Sequence, residues 1–478
     1  MLYLCNRMPR GMAKADEPAS AAKRGSLGAE IVRGDAKGAP ANPLTMALTV
    51  ALALGYGAPA WSAGLSAFTP MGLFNYDASV LDNPYLRTNN FYGYDKVDVG
   101  DDDRWTDLFG DFTLPILANI GVAGFYDDNV LLNNLNRRGS FGTALTPSLT
   151  MPFGSDKVFT TLNYSLRANV YENVGYANTV GNYLNGSTSI EFDHRNHLVL
   201  SARWASAQDP LGTMFSQGSL ANILQQPNHW NGYGFDAAYR YGGDGAKGNL
   251  LMNFSMDNRE YTNNPTITYQ RNLNNYNIGG AFLWRVLPKT QVLFEAQDSI
   301  LDYHNLQTNG TSLNGSMYRV YTGATWVASA KTRAVAKVGY QIRTFDDTVY
   351  STRTGPAFQG MLSWSPGSFD SVWAEVSNAI NETYIGNSIA ASTQNYTLNW
   401  RHNWLERFST SLGAFYLAQQ FVESSLEFNT ITGRLTAMYT FRQGVWADLQ
   451  YTFTDRTSNQ NQYDFTRNLV MLNFRMLF

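Results

Sequence analysis

Five histidines, His194, His197, His229, His304 and His402, are the side chains best suited to move protons near neutral pH. Hydrolysis would need one of them beside a nucleophile and oriented by a third group. The chain has no Gly-x-Ser-x-Gly, no His-Glu-x-x-His and no phosphate-binding loop. His194 and His197 flank a short turn, and His402 falls between Trp400 and Trp404 on an apolar alternation. His229 and His304 fall near longer polar connections, and the sequence pairs neither with a nucleophile. The expectation is therefore no enzyme and no catalytic residue. Tyr126-Asp127-Asp128-Asn129 offers three oxygen-bearing side chains in a row, which could help to hold Ca²⁺. The same residues are also ordinary starters of an exposed loop, and that reading is preferred, so neither metal nor cofactor is expected. The lone cysteine, Cys5, leaves no disulfide framework and no cysteine metal site.

The elements that must position these residues are strands. Val158, Thr160, Leu162, Tyr164, Leu166 and Ala168 alternate with Phe159, Thr161, Asn163, Ser165, Arg167 and Asn169. Tyr396, Leu398 and Trp400 alternate with Thr397, Asn399 and Arg401, and Val445, Ala447, Leu449 and Tyr451 with Trp446, Asp448 and Gln450. A period of two marks a sheet with one apolar and one polar face. Short turns break the strands: Gly154-Ser155-Asp156, Asp193-His194-Arg195-Asn196, Gly242-Gly243-Asp244-Gly245, Pro288-Lys289, Ala330-Lys331, Pro366-Gly367, Leu405-Glu406 and Gln443-Gly444. They recur roughly every 40 residues, room for two long strands and one longer loop. With an opening strand from about Ile116 to Tyr126 and a closing one, the pattern predicts an antiparallel transmembrane β-barrel of about 18 strands, both termini periplasmic. Trp284, Trp326, Trp364, Trp373, Trp404 and Trp446 lie beside the short turns, where amphipathic rings suit a membrane boundary.

The closing stretch, Arg467 to Phe478, carries Val470, Leu472, Phe474, Met476 and Phe478 on one face, with Asn473 and Arg475 on the other. It resembles the last strand of outer-membrane barrels, in which a terminal aromatic belongs to the assembly signal; Phe474, Met476 and Phe478 are the candidate signal residues. A barrel this wide leaves an aqueous lumen unless something plugs it. The polar phase of the alternation makes Arg167, Glu191, Arg203, Arg285, Glu295, Arg319, Glu375, Arg401 and Asp448 candidate lumen residues. Each could be one of a generic wet wall of paired charges. Together, mixed charge and Asn, Ser and Thr groups would let a polar polymer slide without a sticking point.

Composition agrees with a sheet between lipid and water. Only 15% of the 478 residues are charged, and 14% are aromatic. No run approaches the ~18 apolar residues of a spanning helix, which excludes a helical membrane protein. The formal charge of -3 argues against nucleic-acid binding. Leu44 to Leu54 is short and apolar, follows Lys14, Lys23, Arg24, Arg33 and Lys37, and precedes Ala58-Pro59-Ala60. This reads as a signal peptide with an extended N-terminal region over residues 1–63, cleaved after Ala60 or Ala63. Residues 64–114, with Asp98, Asp101, Asp102, Asp103 and Asp107, form a periplasmic segment, either mobile or a plug or docking arm. The barrel then occupies residues 115–478.

A strand followed by Tyr126-Asp127-Asp128-Asn129-Val130, a loop, and a strand with Thr146-Pro147-Ser148-Leu149 resembles the opening of the putative beta-barrel porin 2 family. The ending resembles it too: Tyr451, Asp455-Arg456, Ser458-Asn459, Tyr463-Asp464 and Arg467-Asn468. The resemblance covers about Asn119 to Phe478. It implies an exopolysaccharide-associated porin in the cell outer membrane that gives the polymer its passage. Implied partners are outer-membrane lipid, the barrel assembly machinery, periplasmic polysaccharide export proteins and the polysaccharide itself. A diffusion channel for small polar solutes and a structural or surface-binding barrel are the alternatives.

Overall fold

A computed structural model describes residues 116–478, apart from Asp156, Asp244, Ala330, Ser368, Tyr384, Gly386, Asn387 and Gln443. The expected signal peptide, the segment 64–114 with its acidic run, Cys5, and four of the turn residues lie outside the described residues.

Alternating apolar and polar side chains fold into eighteen strands: β1 (Leu117–Asp127), β2 (Ser140–Gly154), β3 (Val158–Tyr171), β4 (Thr179–Asp193), β5 (Asn196–Asp209), β6 (Asn228–Tyr241), β7 (Gly248–Tyr261), β8 (Leu273–Leu287), β9 (Thr290–Tyr303), β10 (Gly315–Ser329), β11 (Thr332–Arg343), β12 (Arg353–Trp364), β13 (Asp370–Asn381), β14 (Ala391–Leu405), β15 (Phe408–Phe421), β16 (Glu427–Arg442), β17 (Val445–Ser458) and β18 (Phe465–Leu477). Each pairs antiparallel with its sequence neighbours, and β1 pairs antiparallel with β18, so the sheet closes on itself. Closure leaves no strand edge unpaired, the condition for crossing a hydrocarbon layer with strands. The short turns read from sequence fall at strand ends, and the longer connections gather at the opposite, loop end.

The faces follow the pleat. On β18, Val470, Leu472 and Phe474 point outward and are exposed, Phe474 by 42%, whereas Asn473 between them is 8% exposed. Leu162 and Leu398 are likewise outward, while Asn163 is buried and Asn399 half-buried. Trp284, Trp326, Trp364 and Trp404 form an outward aromatic belt beside the short turns. Trp373 and Trp446 do not join it, contrary to the expectation from turn proximity. Trp446 is 2% exposed, because it has the phase of Asp448, and the pleat rather than closeness to a turn decides the face. Toward the loop end the outward hydroxyls of Tyr164, Tyr416 and Tyr451 donate to Asn182, Asn429 and Asn468 Oδ1 at 2.8, 2.9 and 2.7 Å. Those amides satisfy the polar tips of rings whose bodies suit lipid.

Candidate functional site

Because the barrel is closed, the face opposite the exposed apolar one is the lumen wall. All nine candidate lumen residues have that inward phase. So does every lysine and arginine in the eighteen strands except Arg442, which follows a bulge in β16 and pairs with Val445. A cation on the lipid face near mid-bilayer would cost about 2–4 kcal/mol, which explains the segregation.

Two buried ion pairs span a middle strand at a glycine. Arg203 on β5 bonds Asp236 on β6 and reaches past Gly234 to Asp257 on β7, with Nε 3.0 Å from Asp257 Oδ1. A β-carbon at Gly234 would stand 2.7 Å from that oxygen, so only glycine leaves room. Lys337 on β11 bonds Glu295 on β9 at 2.9 and 3.1 Å across β10, where Gly323 lies beside Lys337. Tyr321 places its ring 4.5 Å from the Lys337 ammonium. Removing one partner of such a buried pair typically costs about 3–5 kcal/mol. The other candidates are held more locally. Asp448 accepts from Asn473 Nδ2 at 2.7 Å, and Arg401 donates to Ser409 Oγ at 3.1 Å. Arg167 lies 5.4 Å from the Tyr183 ring centroid, and Arg319 donates to the Ile380 carbonyl at 2.9 Å. Arg285 sits at the short-turn end and donates to the carbonyls of Ala246 and Pro288, tying two turns together. Glu191 and Glu375 are half-buried on the inward phase.

The loop end holds a feature that alternation does not announce. Residues 210–227, between β5 and β6, cross the lumen. Met214 packs on Ala391, Phe421, Leu426 and Phe428, contributed by β14 to β16 and the loop between β15 and β16. Those strands lie half-way round the ring from β5 and β6. Phe215 meets Tyr261 edge-on, with ring centroids 5.2 Å apart. Arg456 donates to Gln217 Oε1 at 2.6 Å, and Gly218 packs under Tyr463. The near side of the strap is fixed by Leu211 and Ala221 packing on Leu131, Val174 and Ala177, and by Asn133 Nδ2 donating to the Gly218 carbonyl at 2.8 Å. Gly212, at φ +83°, presses on the Leu131 carbonyl so closely that any β-carbon would collide with it.

Between β13 and β14, the described residues Glu382, Ile385, Ser388 and Ile389 form a second loop segment that folds toward the first. Arg271 donates to the carbonyls of Ile385 and Ser388 at 3.1 and 3.3 Å. Glu382 is held by Tyr303 and Arg343, and Ile389 packs on Leu273, Leu301 and Leu313. Ile385 also lies against the Met214 cluster, so the two loops meet over the lumen.

Asp127, which ends β1, and Asp128 after it clamp the loop that follows. Asp127 accepts from Arg467 Nε at 3.1 Å and Nη2 at 2.6 Å, and from the Asn129 N–H at 3.0 Å. Asn129 donates to the Thr466 carbonyl and accepts the Asn133 N–H. Burial opposes ionisation of Asp128, but bonds from the Asn468 N–H and side chain, and from Arg137, outweigh it and hold its carboxyl below the usual range. These oxygens face protein donors. Among the described residues no group of three or more His, Cys, Asp or Glu is arranged to hold a metal ion.

One histidine does have a hydroxyl partner, which sequence spacing did not reveal. His229 on β6 lies between Ser206 Oγ, 3.2 Å from Nε2, and Thr262 Oγ1, 2.6 Å from Nδ1. Register brings them together on the outward face at the loop end, since Ser206 is on the neighbouring strand. The strand N–H groups around Ser206 belong to the sheet ladder, so they form no oxyanion site. His304 faces Glu260 at 3.5 Å, and His402 bonds Asp370 at 2.8 Å with its ring against Trp404.

A closed ring of eighteen strands, apolar outside and charged within, is the architecture of outer-membrane porins and transporters. The family described as Putative beta-barrel porin 2 matches residues 107–478, and the chain belongs to it. No curated protein matches the chain. Solved outer-membrane structures match the chain at low identity and low TM-score. The outer membrane protein OpdK of Pseudomonas aeruginosa is 8% identical with a TM-score of 0.42, over 76% of this chain and 99% of that one. OccAB4 of Acinetobacter baumannii is 9% identical with a TM-score of 0.41, over 76% and 98%. The ferric enterobactin receptor PfeA of P. aeruginosa is 7% identical with a TM-score of 0.40, over 76% and 80%.

Proposed function

We propose that this barrel lies in the cell outer membrane and provides the passage for an exopolysaccharide. One observation carries the reading: the lumen wall is charged and hydroxylated over its length, while an eighteen-strand barrel is too wide for its own wall side chains to fill. A hydrated polymer binds such a wall weakly at many points, which favours passage over capture. In this reading the short turns face the periplasm, where export proteins hand over the polymer, and the strap and second loop form the outer gate. Phe474, Met476 and Phe478 on β18 are then read by the barrel assembly machinery.

The narrowing at the loop end supports a second reading, a diffusion channel for small polar solutes. A clean deletion strain, grown where its parent makes surface polysaccharide, separates them. Export predicts loss of secreted polymer with polymer or its lipid-linked precursor accumulating inside. Unchanged secretion would leave the solute channel as the function.

A further inference from the structure

The lumen charge is unevenly placed. Acidic groups on the inward phase concentrate on β5 to β9, where Asp209, Asp236, Asp257 and Glu295 sit among arginines and face Arg203, Arg259 and Lys337. The wall made by β14 to β18 is different. Its inward phase carries Arg401, Arg434, Arg456, Arg467 and Arg475, and Asp448 is its one inward acid among the described residues.

Register turns these arginines into a ladder. Projected onto β17, Arg475 stands at Trp446, Arg401 at Gln450, Arg434 at Thr452 and Arg467 at Thr454, with Arg456 beyond. From Trp446 to Arg456 is roughly 33 Å along the strand at ~3.3 Å per residue, about the thickness of a bilayer's hydrocarbon core. Arg467 is committed to Asp127. Arg456 lies over the Phe428 and Phe465 rings, and Arg434 stands 5.3 Å from the Phe415 ring centroid. Between them the wall presents hydroxyls and amides: Thr432 and Thr454 are 3.3 Å apart, and Gln450 donates to Thr452 at 3.3 Å. Whatever partners individual arginines hold, the sum over this wall is positive.

We infer that β14 to β18 form a track for an anionic polysaccharide, one bearing carboxylate or similar acidic groups. The inference rests on the export reading and names the polymer's class. Guanidinium groups bind carboxylates in a planar, two-pronged geometry. An aromatic ring such as Phe415 accepts the apolar face of a sugar, and threonine and glutamine groups answer its hydroxyls. Cations repeated along the wall give an acidic polymer successive sites, so a chain can advance from one to the next without a single deep trap.

The test is calorimetric titration of the full chain, purified from membranes in detergent, with a uronic-acid hexamer and an uncharged glucose hexamer. The acidic oligomer should bind at least about tenfold tighter, and its affinity should fall as salt rises and screens the wall. Arg434→Gln combined with Arg475→Gln should weaken acid binding, and Arg434→Lys with Arg475→Lys should retain most of it. Heat-modifiable migration checks that each variant is folded, and the wild-type comparison stands without them. Equal affinity for the two oligomers, or binding of neither, would overturn the anionic track. Loss of secretion in the deletion strain alongside equal affinities would leave export standing and remove only this inference.

Discussion

Met214 is the point at which the strap can be released without touching the barrel wall. Its side chain is 8% exposed and wedged against Ala391, Phe421, Leu426 and Phe428. Its backbone has φ +45°, a left-handed conformation unfavourable for any residue with a β-carbon. Met214→Ala keeps that β-carbon, so the backbone cost is the same before and after, and the change reports packing alone. Truncating a buried methionine costs about 2–5 kcal/mol. The low end applies here, because the cluster lies at the barrel mouth, where water and neighbouring side chains can fill the gap. A loss of about 2–3 kcal/mol multiplies the undocked population roughly 30- to 140-fold, at about 1.4 kcal/mol per factor of ten. In planar bilayers the wild type should dwell mainly in a low-conductance state. Met214→Ala should open often to a larger level, while Met214→Leu, close in volume, should behave like the wild type. Identical conductance records for wild type and Met214→Ala, with both barrels folded, would show that the strap does not limit the opening.

Two further expectations test the wall and the clamp. Phe474→Asp puts a carboxylate on the lipid face at a cost somewhat below the about 2–4 kcal/mol of a cation, and should leave unassembled or degraded protein; normal heat-modifiable barrel in the membrane fraction would contradict the outward assignment. Asp128, whose carboxyl is held below its ordinary range, stabilises loop docking above the pKa it would have in the unfolded chain. That contribution disappears as pH falls through its lower folded pKa. Hydrogen exchange over residues 128–139, corrected for intrinsic rates, should therefore rise on acidification in the wild type and vary less with pH in Asp128→Asn; a flat wild-type profile would be evidence against the clamp.

Strand phase was readable because it is local. Leu398 and Asn399 differ by one position, and one position is one face. Most of the turns were readable because glycine, proline or asparagine marks them where strands break, and the structure ends strands at those points. Trp446 shows the limit of a weaker rule, since nearness to a turn says nothing of which way the pleat sends a ring. The strap was beyond local reading: Met214 and Phe428 are far apart in sequence and meet only because the ring brings opposite strands to one mouth. The arginine ladder needs register as well as phase, for Arg401 and Arg475 become rungs of one series only after the strands between them are aligned. The Ser206–His229 contact was hidden for the same reason.

The seam between β1 and β18 sets an order in time. Sixteen of the seventeen sequential strand pairs join neighbours through turns or loops of less than fifteen residues, and each such pair can form soon after both its strands exist. The seam pairs Val122 with Phe474 and encloses nearly the whole barrel in a single loop. Closing a flexible loop of that length costs about 5 kcal/mol of chain entropy by the (3/2)RT ln n scaling, and no local turn shares that cost. Contacts of such sequence separation form late. Until β18 arrives, β1 waits with an open hydrogen-bonding edge, a template for pairing with the wrong chain. The barrel is thus a ring zipped from many quick hairpins and locked by one slow event, and any factor that guards its birth must guard the first strand for as long as the last is missing.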